Sequence, residues 1–166
     1  DPDSSPARAY VVLGRRDAWP LTGGRVDLLA QAERVYQEST LVDSRLGVSL
    51  APLGDVDGDR LADFAMGQPG RGAGPNRVLL ALSTLARGER VLEASQSTQI
   101  IAGSGGGAAL FGRSLSSGQV NGDGVADLLT LTPRAATAQL FTPNRGVALA
   151  ASLQRVEISA VGPLAN

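Results

Sequence analysis

The chain has 166 residues, is 43% hydrophobic and contains 21 glycines and 9 prolines, which suits one modest domain with many turns. It has neither cysteine nor histidine, so disulfides, thiol chemistry and the commonest general base are excluded, and we expect no enzyme activity. A formal net charge of −1 with dispersed arginines gives no basic face for nucleic acid, and no apolar run is long enough for a membrane span.

The first third of the chain predicts short strands after a polar start. Residues 1–8 are expected to form a flexible N-terminal segment because DPDSSPA is rich in proline and serine. Strands are predicted from Ala9 to Leu13, from Arg25 to Leu29 and from Arg34 to Glu38. The run DLLAQAERVYQE also has helical character, but its β-branched counterpart later in the chain favours a strand from Arg34 to Glu38.

The stretch from Gly54 to Pro69, GDVDGDRLADFAMGQP, is the most informative part of the sequence. Four carboxylates within nine residues repel one another and oppose folding unless a counter-ion is present. Side chains at loop positions 1, 3, 5 and 9, with the carbonyl at position 7, offer the oxygen ligands that Ca²⁺ prefers. The predicted ligands are Asp55, Asp57, Asp59, Asp63 and the carbonyl of Leu61.

The same pattern returns from Gly118 to Pro133 as GQVNGDGVADLLTLTP. The corresponding ligands are Gln119, Asn121, Asp123, Asp127 and the carbonyl of Val125. An EF-hand loop needs an acidic residue at position 12, where this chain has Met66 and Thr130. We therefore predict up to two structural calcium sites in β-hairpins, with strands from Ala62 to Met66 and from Ala126 to Leu131.

Further strands are predicted around the two loops. One strand runs from Arg77 to Ser83. An outer pair of strands is predicted at 90–93 and 99–102. A strand at 137–141 and a second outer pair at 148–153 and 156–160 follow the second loop. The sequence thus predicts an all-β chain.

Each acidic loop follows a second matched element, LGVSLAPL from Leu46 to Leu53 and FGRSLSS from Phe111 to Ser117. A Phe-Gly start, a D-x-D/N-x-D-G-x-x-D loop and a Gly-Ala-Pro finish resemble the FG-GAP repeat of integrin α-chain propellers and bacterial surface proteins. The finish is matched by GQP after the first loop and poorly by LTP after the second. The resemblance implies antiparallel four-stranded blades of a β-propeller, structural calcium and an extracellular location.

About two repeats are present, which divide the chain into 1–8, 9–45, 46–110, 111–162 and a tail at 163–166. Such repeats cannot bury their faces alone, and propellers need about four to eight blades. We therefore expect an assembly module that completes its blades with neighbouring chains, in a ring or a filament, or a piece of a longer propeller. No signal peptide is visible, and we expect any export leader to have been removed.

Two alternatives remain for the function and one for the loops. The chain could be an adhesion propeller with a protein or glycan ligand, or an accessory part of a larger secreted protein. Sugar stacking favours exposed aromatics, and Trp19 is either such a platform or a packing plug. The Asp-Gly loops could also form Asx-turns without a metal ion. If both bind calcium, the first should bind more tightly, because it has four side-chain carboxylates and the second has two.

Overall fold

The computed structural model describes residues 6–39, 44–70, 76–83, 91–94, 99–103, 110–135, 137–143 and 154–159. The predicted segment 148–153 and the tail 163–166 lie outside the described residues, as does most of the N-terminal segment. The strands are β1 (Arg8–Val11), β2 (Leu21–Thr22), β3 (Arg25–Val26), β4 (Arg34–Gln37), β5 (Leu50–Gly54), β6 (Asp63–Pro69), β7 (Asn76–Ala81), β8 (Val91–Glu93), β9 (Gln99–Ala102), β10 (Leu115–Gly118), β11 (Asp127–Thr132), β12 (Thr137–Thr142) and β13 (Gln154–Ser159). A short helix α1 (Leu28–Gln31) and a 3₁₀ turn (Pro133–Ala135) complete the described elements.

Two four-stranded antiparallel sheets share one strand order. The middle sheet has the order β5-β6-β7-β9, and the last sheet has the order β10-β11-β12-β13. Each acidic loop joins the first two strands of its sheet. The prediction of an all-β chain with antiparallel four-stranded sheets is confirmed.

A β-bulge explains why the two repeats do not keep a constant spacing. Leu46-Gly47 and Phe111-Gly112 lie 65 positions apart, whereas Asp63 and Asp127 lie 64 apart. The register of β5 against β6 shifts between Pro52 and Gly54, so β5 contains one residue more than β10. The additional residue is accommodated inside the first strand and leaves the loop itself unchanged.

The first sheet is smaller and has the order β1-β4-β8. Its antiparallel β1-β4 pair corresponds to β7 and β9 of the middle sheet, as the sequence predicted for Ala9 to Leu13 and Arg34 to Glu38. The predicted outer pair of 90–93 with 99–102 is wrong, because β8 pairs in parallel with β4 and β9 pairs with β7. Glu93 of β8 holds this position by accepting hydrogen bonds from Gln37 Nε2 and from the N–H of Ser39, at 2.9 and 3.0 Å.

The predicted strand from Arg25 to Leu29 is only partly present. β3 ends at Val26, and Leu28 and Leu29 belong to α1. Asp27 is the N-cap of this helical turn, since its side chain accepts a hydrogen bond from the N–H of Ala30 at 3.0 Å. This cap turns the chain away from the β2-β3 ribbon.

The three sheets stack, and the middle sheet is covered on both faces. One face contributes Ala65 and Leu80 to a core that includes Leu128 and Phe141 of the last sheet. The other face contributes Met66 and Leu79 to a core with Tyr36 of the first sheet. The alternation of side chains along β6 and β7 therefore serves two cores at once.

An ion pair also joins the first sheet to the middle sheet. Arg77 Nη2 lies 3.1 Å from Oε1 of Glu38, whose side chain is fully buried. Arg77 also donates through Nε to Gln68 Oε1 on the neighbouring strand. Removing Arg77 would leave the charge of Glu38 buried, which is far more costly than the pair itself is stabilising.

The glycine at the start of each repeat has the same unusual backbone. Gly47 has a φ of +78° and Gly112 a φ of +79°, a left-handed conformation that favours glycine. Gly112 lies directly against Gly67 of the middle sheet, and a Cβ built on Gly67 would lie 1.9 Å from its carbonyl oxygen. Ser49 Oγ donates to the same carbonyl oxygen at 2.7 Å. The last and middle sheets therefore meet through backbone here.

Candidate metal centre

The two acidic loops have the same hydrogen-bonded backbone. In the first loop, four backbone N–H groups donate to side chains: Val56 to Asp63, Gly58 to Asp55, Asp59 to Asp57 and Leu61 to Asp59, at 3.0, 2.7, 3.1 and 2.8 Å. The second loop repeats them: Val120 to Asp127, Gly122 to Gln119, Asp123 to Asn121 and Val125 to Asp123, at 2.6, 3.2, 3.1 and 2.8 Å. Turns of this kind also form without a metal ion.

The first loop brings three carboxylates together. One oxygen from each of Asp55, Asp57 and Asp63 lies within 4.8 Å of the others. Two oxygens that ligate one Ca²⁺ at 2.3–2.6 Å are at most about 5 Å apart, so a single ion can contact all three. Among the described residues, no arginine forms an ion pair with these groups. The donor set therefore fits a hard cation.

Asp59, the fourth predicted carboxylate ligand of the first loop, does not belong to this cluster of three. Asp59 accepts the N–H of Leu61 through Oδ1, and its own N–H donates to Asp57. Leu61 is half-buried. Arg60 has a φ of +74°, close to the +82° of Gly124 at the same place in the second loop. The loop thus keeps its shape at a cost of about 1–2 kcal/mol for a non-glycine residue.

Asp63 is the buried member of the cluster. Burial raises the pKa of Asp63, and the charges of Asp57 and Asp59 raise it further, while hydrogen bonds from the N–H groups of Ser83 and Val56 oppose the rise. The folded chain without a cation therefore disfavours the ionised form of this carboxyl group. A cation in the loop would reverse that preference.

The second loop has a different set of inward-facing groups. Gln119 Nε2 donates to the carbonyl of Val125 at 2.6 Å and lies 3.4 Å from Asp123 Oδ1. Asn121 Nδ2 donates to Asp123 Oδ2 at 2.8 Å. The N–H of Val125 and the amide of Asn121 hold the pKa of Asp123 below its ordinary value. These amide hydrogens point at oxygens that were predicted to ligate a metal ion, so this loop fits a cation less well than the first.

Asp127 accepts a hydrogen bond through only one of its carboxylate oxygens among the described residues, whereas Asp63 accepts through both. Its Oδ2 accepts the N–H of Val120, but its buried Oδ1 has no hydrogen-bond partner among the described residues. In the first repeat, the N–H of Ser83 donates to Asp63 Oδ1 at 2.7 Å. The strand registers place Pro143 at the position of Ser83, and proline has no N–H to donate.

Ser83 contacts the candidate site through Asp63, and the sequence analysis did not identify this contact. It is twenty positions from Asp63, and only the pairing of β6 with β7 brings the two together. Its hydroxyl also donates to the carbonyl of Ala62 at 2.5 Å. The matched position of Pro143 is the signal in the sequence that could have drawn attention to this contact.

We expect Ser83→Pro to lower the free energy of unfolding by about 1–3 kcal/mol, because it removes the N–H that satisfies a buried carboxylate oxygen. The control is Ser83→Ala, which keeps the N–H and loses only the hydroxyl, at about 0.5–1.5 kcal/mol. Urea unfolding followed by circular dichroism measures both. Equal losses for the two variants would show that the backbone donor does not matter.

No known protein-family model matches this chain. In the described part of the chain, no helix has the length and apolar character needed to cross a membrane.

Trp19 is half-buried, and the guanidinium carbon of Arg15 lies 5.5 Å from the centre of the Trp19 ring. One face of this ring is therefore occupied by a cation.

Proposed function

We propose that this chain is a calcium-stabilised extracellular structural module, built of FG-GAP-type propeller blades, that assembles with neighbouring chains into a ring or a filament. Its role is mechanical, with no catalytic step. The observation that carries the proposal is the convergence of three carboxylate oxygens in the first loop without a compensating arginine among the described residues. Extracellular modules of this kind bind Ca²⁺ at roughly 10⁻⁴ to 10⁻³ M, which suits secreted proteins.

The calcium ion would act on the joint between β5 and β6. Asp55 and Asp57 follow the bulged end of β5, and Asp63 is the first residue of β6. A cation held by all three would cancel their repulsion and fix the two strands against each other. Because the cluster forms only in the folded chain, its binding free energy would appear as stability.

The last sheet offers a surface for assembly. Leu128 and Phe141 face the middle sheet, so the alternating residues of β11 and β12 face away from it. On this outer face, Leu131 is 41% exposed and Val156 is 50% exposed. Apolar surface of this kind supports contact with a neighbouring chain.

A neighbouring chain could not pack on this outer face in the same way that the last sheet packs on the middle sheet. Leu131 occupies the position that Gly67 has in the middle sheet, and Gly67 is where backbone meets backbone. The contact would therefore be between side chains. β13 and β1 are both edge strands, but β13 belongs to a sheet of four described strands and β1 to a sheet of three, so an added strand would complete a four-stranded sheet at β1.

We expect the wild-type chain to associate in calcium, and Leu131→Glu to reduce its average mass towards that of the monomer. A charge on the outer face would have to be buried on association, which is strongly unfavourable. The control is Leu21→Glu, since Leu21 is 62% exposed in the β2-β3 ribbon. Size-exclusion chromatography with light scattering measures the masses. A monomeric wild-type chain at high concentration would contradict the assembly proposal.

Adhesion to a protein or glycan ligand has less support. The stacking platform considered for sugars was Trp19, and Arg15 covers one face of this ring. The structural role therefore remains the better explanation of the residues described.

A further inference from the structure

The second loop reproduces the backbone of the first while lacking half of its acidic side chains. The four backbone-to-side-chain hydrogen bonds occur at matched positions in both loops. At positions 1 and 3, however, Asp55 and Asp57 are replaced by Gln119 and Asn121. Something other than a charged cluster therefore holds the second loop in the same shape.

The amide of Gln119 has its two ends fixed by different partners. Its Oε1 accepts the N–H of Gly122 at 3.2 Å, and its Nε2 donates to the carbonyl of Val125 at 2.6 Å. Asn121 is fixed in the same way, because Oδ1 accepts the N–H of Asp123 and Nδ2 donates to Asp123 Oδ2. The hydrogen-bond pattern thus determines which end of each amide faces the loop interior.

The inward-facing amide groups contact the oxygens that a cation would otherwise contact. Gln119 Nε2 bridges the carbonyl of Val125 and the carboxylate of Asp123, which are positions 7 and 5 of the loop. Asn121 Nδ2 contacts the other oxygen of that carboxylate. In the first loop, positions 1 and 3 carry Asp55 and Asp57, whose ionised carboxylates can accept hydrogen bonds but cannot donate them.

We propose that the second loop is ordered without a metal ion and that the side-chain amide of Gln119 takes the place of the cation. This rests on the proposed function only in assuming that the first loop is the calcium site. The chain then binds one calcium ion, and the second loop stays folded when calcium is removed. The two repeats would differ in their response to the calcium concentration around the protein.

The test compares Gln119→Glu and Gln119→Ala with the wild type in EDTA and in calcium. Gln119→Glu keeps the shape of the side chain but replaces the donor with a second carboxylate beside Asp123. We expect its unfolding midpoint in urea to fall in EDTA and to recover in calcium, with calorimetry counting two calcium ions instead of one. Gln119→Ala should lose stability equally in both buffers. Val120→Ala, a change at an exposed neighbour, should alter neither the unfolding midpoint nor the number of calcium ions bound.

The possible results separate this inference from the proposed function. A wild type that binds two calcium ions, or a Gln119→Ala variant as stable as the wild type in EDTA, would overturn the inference. A wild type that binds no calcium, with Gln119→Ala still destabilised in EDTA, would overturn the proposed function and support the role of the amide. A Gln119→Glu variant that calcium does not stabilise would also overturn the inference, because the amide would then not occupy a place that a cation can take.

Discussion

Gly67→Ala is expected to cause a loss of more than about 3 kcal/mol in the free energy of unfolding, near or beyond the upper end of overpacking effects. A Cβ at this position would lie 1.9 Å from the carbonyl oxygen of Gly112 and 2.2 Å from Ser49 Oγ. The serine can rotate away, but the carbonyl belongs to the backbone.

Gly112 has little freedom to move. Its φ of +79° is left-handed, and a Cβ on Gly112 itself would lie 2.7 Å from the carbonyl oxygen of Arg77. The last sheet would have to withdraw from the middle sheet to admit even one methyl group. That withdrawal would open the core in which Phe111 packs edge-on against Phe141, with ring centres 6.4 Å apart.

The control for this variant is Gly118→Ala. Gly118 is also a strand glycine, but a Cβ there would meet nothing within 4 Å. Its effect should lie between zero and a gain of about 1 kcal/mol, because alanine has less freedom in the unfolded chain. Urea unfolding in calcium compares both variants with the wild type. If Gly67→Ala is as stable as Gly118→Ala, the description of the contact between the sheets is incorrect.

Asp57→Asn is expected to change stability in opposite directions with and without calcium. Asp57 is exposed, so the substitution leaves the core intact, and it removes one of the charges that raise the pKa of Asp63. In EDTA the variant should equal or exceed the wild type, because repulsion within the loop is reduced.

In calcium the order should reverse. At a calcium concentration roughly 100-fold above Kd, binding stabilises the wild type by about 2.7 kcal/mol, and a variant that binds at least about tenfold more weakly loses about half of this or more. Asp17→Asn, an exposed change in residues 12–20 before the β2-β3 ribbon, should behave like the wild type in both buffers. The same rank order of stability in both buffers would contradict a role for Asp57 in cation binding.

Much of the fold could be predicted because each strand and turn of the repeats has a short sequence pattern of its own. β9 has the predicted bounds of Gln99 to Ala102, and β4 was recognised although its segment has helical character. The paired loops were found because aspartate and glycine at fixed spacing determine turns through their own backbone hydrogen bonds. The glycines of the matched pairs Leu46-Gly47 and Phe111-Gly112 share a left-handed backbone.

The features that the sequence analysis missed depend on contacts between distant residues. The parallel pairing of β8 with β4 is supported by Glu93, whose hydrogen-bond partners Gln37 and Ser39 are more than fifty positions away. The donation from Ser83 to Asp63 depends on strand register. The inward direction of the Gln119 amide depends on how its carbonyl and N–H partners are arranged in space. Apart from Pro143 at the position that matches Ser83, these contacts leave no local pattern in the sequence.

We propose above that the first acidic loop holds a calcium ion that stabilises the chain. The most direct test is a calorimetric titration of Ca²⁺ into chain freed of metal by EDTA and then dialysed, with Asp57→Asn measured in parallel. We predict one calcium ion for each wild-type chain, with a Kd of roughly 10⁻⁴ to 10⁻³ M, and binding at least about tenfold weaker in the variant. No heat of binding in the wild type, together with an unfolding midpoint that is the same in EDTA and in calcium, would contradict the account.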